Sequence, residues 1–566
     1  MVSKIFSSTL LAMMLTAAVS YPSAAGTGYN RIDWNVLKTI HCDIRFPDGM
    51  EGLALRAAEL SEEGYARVSD ALAHDCAQVI TVVIFPAHHG PDQDDDMMDD
   101  YRRGLIRTGR GSIAVSFNGS YADLRRAITH KIAHVFQYDL FTDAPVPVPA
   151  ISAQRMPPAI AEGMAEYIAC GFDEKADMVM RDIMTGGRHI GIRELADNRL
   201  TVRTREFREA QSLFMFIEKR YGRHAVGEIL KDIRDCGNFC EAVRINTGAS
   251  LDRLDLEWND SLRNRYHVLV DNEKRAADGA ERITFDADGS ESMNILPAIS
   301  PDGKRIAYLA AGGPSARLAV VSAERDSSPG MKRICYFPNS MKLGRLSSAF
   351  GVDNKLSWSK NGSRILLAAR SKGADSIFSI NAENGTVVSE IRLPFSAVMQ
   401  PSKSADGRLI AFSGIASCSA DIYIYNTEEG AVTRLTDDDF TDRDPALAPD
   451  GLSVVYSSNW NAAGDIGRDD FNLVRLDIKN GIRTVLVGTG GNDIQPDISH
   501  DGNRLVYSSN SNGAYNIYLL DMTTSKAVRI TDETAGAFHP RWFPDGKGIA
   551  YVSLRDQAFE IFVRRL

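Results

Sequence analysis

Pro297-Ala298-Ile299-Ser300-Pro301-Asp302-Gly303-Lys304-Arg305-Ile306-Ala307-Tyr308 is one copy of a unit that recurs through the second half of the chain. The unit is a proline, a short strand, an Asp-Gly turn and an apolar strand. A degenerate copy is Leu356-Ser357-Trp358-Ser359-Lys360-Asn361-Gly362-Ser363-Arg364-Ile365-Leu366. Four more centre on Pro401 with Asp406-Gly407, Pro445 with Asp450-Gly451, Pro496 with Asp501-Gly502, and Pro540 with Asp545-Gly546. Asp-Gly and Asn-Gly tolerate the positive φ of a tight hairpin turn. The run after each turn, such as Val454-Val455-Tyr456-Ser457, is apolar on both faces, as expected of a strand inside stacked sheets. A third strand follows, as at Asp421-Ile422-Tyr423-Ile424-Tyr425 and Asn516-Ile517-Tyr518-Leu519-Leu520-Asp521. A fourth follows at Val432-Thr433-Arg434-Leu435-Thr436 and Val528-Arg529-Ile530-Thr531.

Four strands in a period of about 40–50 residues make a β-propeller blade, and six copies predict six blades. The sixth copy reaches only its third strand, Glu560-Ile561-Phe562-Val563, before Leu566. Glu281-Arg282-Ile283-Thr284-Phe285 matches the Arg-Leu-Thr pattern of the fourth strands. It is expected to close the last blade beside Ile561 and remove its open edge. The count and the Pro-Asp-Gly signature resemble the TolB-like propeller of periplasmic proteins. That resemblance implies a fold and leaves function open.

The first half carries a different signal: His130-Lys131-Ile132-Ala133-His134, then Glu162-Gly163-Met164-Ala165-Glu166-Tyr167. Apolar residues Leu124, Ala127, Ile128, Ile132, Val135 and Phe136 have a helical period, with Asn118 or Ser120 as N-cap. On that helix His130 and His134 share a face. A glutamate from a second helix would complete a His2Glu zinc set with a position left for water. Pro157-Pro158 opens such a helix. In active sites of the H-E-x-x-H type, the residue after the first histidine takes the proton from the metal-bound water. Here it is Lys131, an ammonium at neutral pH with three donors and no acceptor.

A strand at Ser112-Ile113-Ala114-Val115-Ser116-Phe117, the HxxxH helix and the E-G-x-A-E-Y helix resemble, in that order, the gluzincin zinc peptidases, especially the peptidase-MA-like group. The resemblance spans residues 30 to 265. It includes the strand Val79–Phe85 and the helix Ala210–Gly222. It implies that Glu162 is the third zinc ligand and that Glu166 orients a ligand histidine. Lys131 departs from the family pattern. Glu209 is a second departure, standing where relatives often carry a tyrosine.

Composition bounds the rest. The chain of 566 residues is long enough for several domains, and its net charge of -10 argues against nucleic-acid binding as the main role. Lys4, the apolar run from Ile5 to Val19 and Ser23-Ala24-Ala25 read as a signal peptide. No later run is long and apolar enough to span a bilayer. The seven cysteines form no disulfide framework. Cys236 and Cys240 are the expected local pair if a bridge forms. The acidic run Asp92 to Asp100, beside His88 and His89, matches no EF-hand and reads as a solvated loop.

The expected molecule is multidomain: a signal peptide at 1–25, an α+β gluzincin-like domain at 26–270, and an all-β six-bladed propeller at 271–566. The expected role is a non-catalytic exported binding or scaffold protein of the cell envelope, periplasmic or secreted. It would have a protein or peptide partner and a residual zinc site at His130, His134 and Glu162. Two alternatives are an active zinc metallopeptidase using Glu166, Glu209 or a substrate group as base, and a propeller that binds a small ligand or glycan.

Overall fold

The computed structural model describes residues 14–16, 34–85, 111–142, 156–197, 200, 204–276, 279–284, 293–311, 317–323, 332–336, 341–342, 354–371, 374–416, 418–461 and 470–566. The acidic run from Asp92 to Asp100, and the signal peptide except Met14–Thr16, lie outside the described residues. The chain is multidomain, an α+β region followed by an all-β region. It divides into two compact units. The first is residues 1–117, 123–171 and 191–255; the second is 118–122, 172–190 and 256–566. The second unit thus takes in two short segments of the first half besides its main stretch from Leu256 to Leu566.

The first unit holds a five-stranded sheet in sequential order: Met14–Thr16, Trp34–Lys38, Cys42–Pro47, Ile80–Phe85 and Ser112–Ser116. The last three strands are parallel, and helix α1 (Glu51–Leu72) makes the crossover between the first two of them. Helix α2 (Tyr121–Thr142) follows the last strand. Gly64 of α1 meets Thr129 of α2, where an added Cβ would stand 2.9 Å from the Thr129 Oγ1. Helix α3 (Pro158–Cys170) begins with proline at its first turn, where the missing N–H costs nothing. Helix α4 (Thr204–Tyr221) packs on α3.

Cys236 and Cys240 form no disulfide, which corrects the expected local pair. Cys236 ends one helix and Cys240 lies in the first turn of the next. Between them Asn238 caps the second helix by accepting from the Glu241 N–H at 3.0 Å, and the Cys236 thiol donates to the Asn238 carbonyl.

In the second unit six blades follow one another, each of four strands except the second, where Met341–Lys342 adds a fifth. Their innermost strands are Met293–Ile299, Ser357–Trp358, Ala397–Lys403, Asp442–Leu447, Asp493–Ile498 and Ala537–Trp542. Each touches the next, and the sixth touches the first, which closes a ring. The sixth blade takes its outer strand from Ala280–Arg282, paired antiparallel with Ala558–Arg565. The six turn glycines all have φ between 65° and 86°. At four turns a serine and an aspartate or asparagine latch the hairpin. Asp302 accepts from the Lys304 N–H, and Ser300 Oγ accepts from the Arg305 N–H.

The repeated proline has a role that its spacing did not reveal. In five blades the residue before it, Leu296, Gln400, Asp444, Gln495 or His539, has φ between 51° and 58°. The inner strand bulges there. Lys355 holds the matching place in the blade that lacks the proline. These residues form the inner rim. Gln400 Oε1 accepts from the Asp444 N–H at 2.9 Å and Gln495 Oε1 from the His539 N–H at 2.8 Å. Ser457 Oγ accepts from the Gln495 N–H at 3.3 Å.

Candidate metal centre

Helix α2 buries Leu124, Ile128, Ile132, Val135 and Phe136, and that apolar stripe fixes its rotation. His130 and His134 then lie one turn apart, with His134 buried and His130 16% exposed at its side chain. Helix α3 brings Glu162, also buried, against them. The two histidine Nε2 atoms are 3.1 Å apart. Glu162 Oε2 lies 3.3 Å from His130 Nε2 and 3.4 Å from His134 Nε2. Ligand atoms about 2.0–2.1 Å from a tetrahedral zinc stand about 3.3 Å from one another, so the three atoms form one face of such a tetrahedron. The other Glu162 oxygen, Oε1, is buried with no hydrogen-bond partner, an orphan that a metal or its bound water would satisfy.

Around this face the charges are arranged to hold the carboxylates ionised. Burial alone would raise the Glu162 carboxyl, but His134 and His130 outweigh it and hold it down to about 2. Burial likewise opposes charge on His130, and Glu162 and Glu166 override it, pushing the imidazole up to about 9. Glu166 stands 3.7 Å from His130 Nδ1. It is clasped by Arg126 at 2.7 and 3.2 Å and approached by Arg208 at 3.6 Å. Despite burial these guanidiniums keep it well below the usual carboxylate range. His134 Nδ1 and Gln137 Oε1 are 2.8 Å apart. If Nδ1 carries the proton, Nε2 keeps its lone pair for the metal.

The residues read from the sequence as ligands, His130, His134 and Glu162, are brought together, and Glu166 sits behind His130. Lys131 is half-buried on the same helix and supplies no acceptor. Glu209 is fully buried and paired with Arg205 at 2.8 Å. Arg126, Gln137 and Arg208 escaped the sequence reading. Arg126 stands four residues before His130 and Gln137 three after His134, so helical spacing alone places both beside the site. Gly163 also has a role. A Cβ there would lie 2.4 Å from the Ala210 Cβ and 2.8 Å from the Gln211 nitrogen, so only glycine lets α3 approach α4 this closely.

No family model matches the chain. It is 27% identical to the uncharacterized protein Atu1656 of Agrobacterium fabrum over 157 residues, 28% of this chain and 51% of that protein. It is 26% identical to the Tol-Pal system protein TolB of Francisella tularensis over 165 residues, 29% of this chain and 37% of TolB. The matched part thus spans about half or less of these curated relatives. Among solved structures, putative TolB from Agrobacterium tumefaciens matches at a TM-score of 0.36 and 19% identity, over 49% of this chain and 91% of that one. TolB from Acinetobacter baumannii matches at 0.33 and 16%, over 54% and 69%. These structural likenesses are weak. The sequence matches support homology to the TolB-like propeller. Among the described residues no helix is long and apolar enough to cross a membrane.

Proposed function

We propose that this chain is an exported, non-catalytic binding protein of the cell envelope. Its propeller would engage a protein or peptide partner, and its α+β unit, a gluzincin-like pseudo-peptidase, would hold zinc without hydrolysing peptides. The observation that carries this reading is the coexistence of a complete ligand face with Lys131 at the position of the base. His130, His134 and Glu162 would hold the ion, tying α2 to α3. Bound zinc supplies Lewis acidity toward a water, and hydrolysis also needs a carboxylate or imidazole within reach to take the proton. Glu166 is committed to Arg126 and Arg208, and Glu209 to Arg205, so neither replaces the missing base. Export to the periplasm rests on the N-terminal sequence and the TolB relatives, as does an envelope partner.

The test is metal content and turnover measured on the same purified chain. After dialysis against zinc it should retain the ion, lose it on His130→Ala, and leave generic peptides intact. Chelator-sensitive cleavage that His130→Ala abolishes would reverse the non-catalytic reading. A chain that keeps no zinc would remove the pseudo-peptidase reading. Lys131→Glu should restore weak hydrolysis.

A further inference from the structure

The joint between the outer strands of blade three and the inner strand of blade four gathers Asp421, Asp438 and Asp442, which each offer a carboxylate oxygen within 4.8 Å of the others. Asp421 and Asp442 are buried. Asp438 keeps 22% of its side chain exposed, which leaves a way in. Arg434 pairs with Asp421 and Arg483 with Asp438. Among the described residues Asp442 makes no direct salt bridge, and the cation acting on it, Arg483, is already paired with Asp438. One of its oxygens accepts from the Ser458 hydroxyl, and the other, Oδ2, is buried with no partner. The Tyr456 hydroxyl is also fully buried without a partner. It feels the charge of Asp442, Asp438 and Asp421 alike, which places it beside the cluster.

The neighbouring joints show what is unusual here. Between blades five and six, Glu533 fills the place of Asp438, two residues beyond a threonine that caps a backbone N–H in both blades. Glu533 accepts from the Tyr551 hydroxyl at 2.7 Å, the Ser553 hydroxyl at 2.9 Å and Arg555 at 2.8 Å. Ala537 pairs with Ser553 there as Asp442 pairs with Ser458, so that joint has one acid and every group is satisfied. Between blades four and five, Asp493 holds the place of Asp442. It is met by the Thr489 N–H and hydroxyl at 3.0–3.1 Å, and no second acid faces it from the Asp438 position. Among the described residues, the joint between blades three and four is the one that combines both acids. Asp438, one methylene shorter than Glu533, leaves the Tyr456 hydroxyl unmet. Burial first and the charge on Asp438 second push the Asp442 carboxyl up to about 8, outweighing the opposing pull of Ser458, Thr436 and Arg483.

We propose that this joint binds one calcium ion through Asp421, Asp438, Asp442 and Tyr456. All the donors are hard oxygens, and the span suits an ion that takes them at about 2.3–2.6 Å. The ion would join blade three to blade four and meet both orphaned groups.

The test is calorimetric titration of the full-length, EGTA-treated chain with calcium and, in a separate arm, magnesium. Wild type should bind one calcium at this joint and melt at a higher temperature with it. The double variant Asp438→Glu/Asp442→Ala rebuilds the arrangement of blades five and six. It should fold, melt in EGTA at least as high as wild type, and bind calcium about a hundredfold more weakly or not at all. Asp442→Asn, which keeps the volume, should lose affinity similarly, and Tyr456→Phe should lose less. The variant His130→Ala, in the other unit, should bind calcium as wild type does. Absence of calcium binding in wild type would overturn the proposal. So would wild-type affinity in both Asp442 variants, or magnesium binding at equal or higher affinity.

Discussion

The Ile283 N–H donates to the Ile561 carbonyl at 2.8 Å, joining a strand that precedes the array to the blade that ends it. Thr284 completes the seam. Its hydroxyl oxygen accepts from the Ile561 N–H at 2.9 Å and donates to Glu560, and Arg282 reaches Glu560 at 3.0 Å. One buried threonine thus serves two polar groups from the far end of the repeat.

Thr284→Val should therefore orphan the buried Ile561 N–H and take one hydrogen bond from the buried Glu560 carboxylate, which keeps Arg282 and Asn294. A loss of about 1–3 kcal/mol is expected, read as a lower urea midpoint with an unchanged slope. Deleting residues 281–286 should go further and expose the edge of blade six, seen as aggregation on concentration. A deletion variant as stable as wild type would show that the seam contributes nothing.

Gly163→Ala should separate α3 from α4. The added carbon would meet the Ala210 Cβ at 2.4 Å, a backbone-anchored clash that no rotamer relieves. Overpacking of this kind costs about 1–3 kcal/mol. Because Glu162 is the adjacent residue, retained zinc should fall as well. Both are measurable on one sample, by thermal melting and metal analysis.

Lys355 gives a pH test. It is buried, and its ammonium donates to the Pro445 carbonyl at 2.9 Å. Burial first and Arg541 second lower its pKa to about 7, while Asp497 and Asp444 act the other way. The unfolded chain holds this proton up to about pH 10.4, so between pH 7 and pH 10 the unfolded state binds more protons. Stability should rise with pH across that window, by at most about 1.4 kcal/mol per unit from this group, and stay at its lower level below pH 7. Lys355→Met should flatten the slope in urea melts at pH 7 and pH 9.5. An unchanged slope would place its origin elsewhere.

Much of this was legible because it is local. Asp-Gly turns state their own geometry, so six glycines disclosed six blades, and Arg282-Ile283-Thr284 matched the strands it joins. His130 and His134 were legible through helical spacing. The residues that were missed depend on distant neighbours. Arg208 reaches Glu166 from another helix. The difference between Asp438 and Glu533 matters only because a tyrosine from the next blade stands one methylene away. The inner bulges were hidden for another reason. A residue before proline normally prefers extended backbone, and here five of them take the left-handed region instead.

Those bulges have a consequence for how the array can change. Gln400 serves the peptide of Asp444, Ser457 that of Gln495, and Gln495 that of His539, each in the following blade and always in the same rotational sense. A blade gained or lost within this arc by unequal recombination would strand an N–H on one side and an acceptor on the other. Such an event would succeed only if the newcomer carried both halves of the relay. The inner rim therefore acts as a tally that conserves its own length, even while the outer strands remain free to drift.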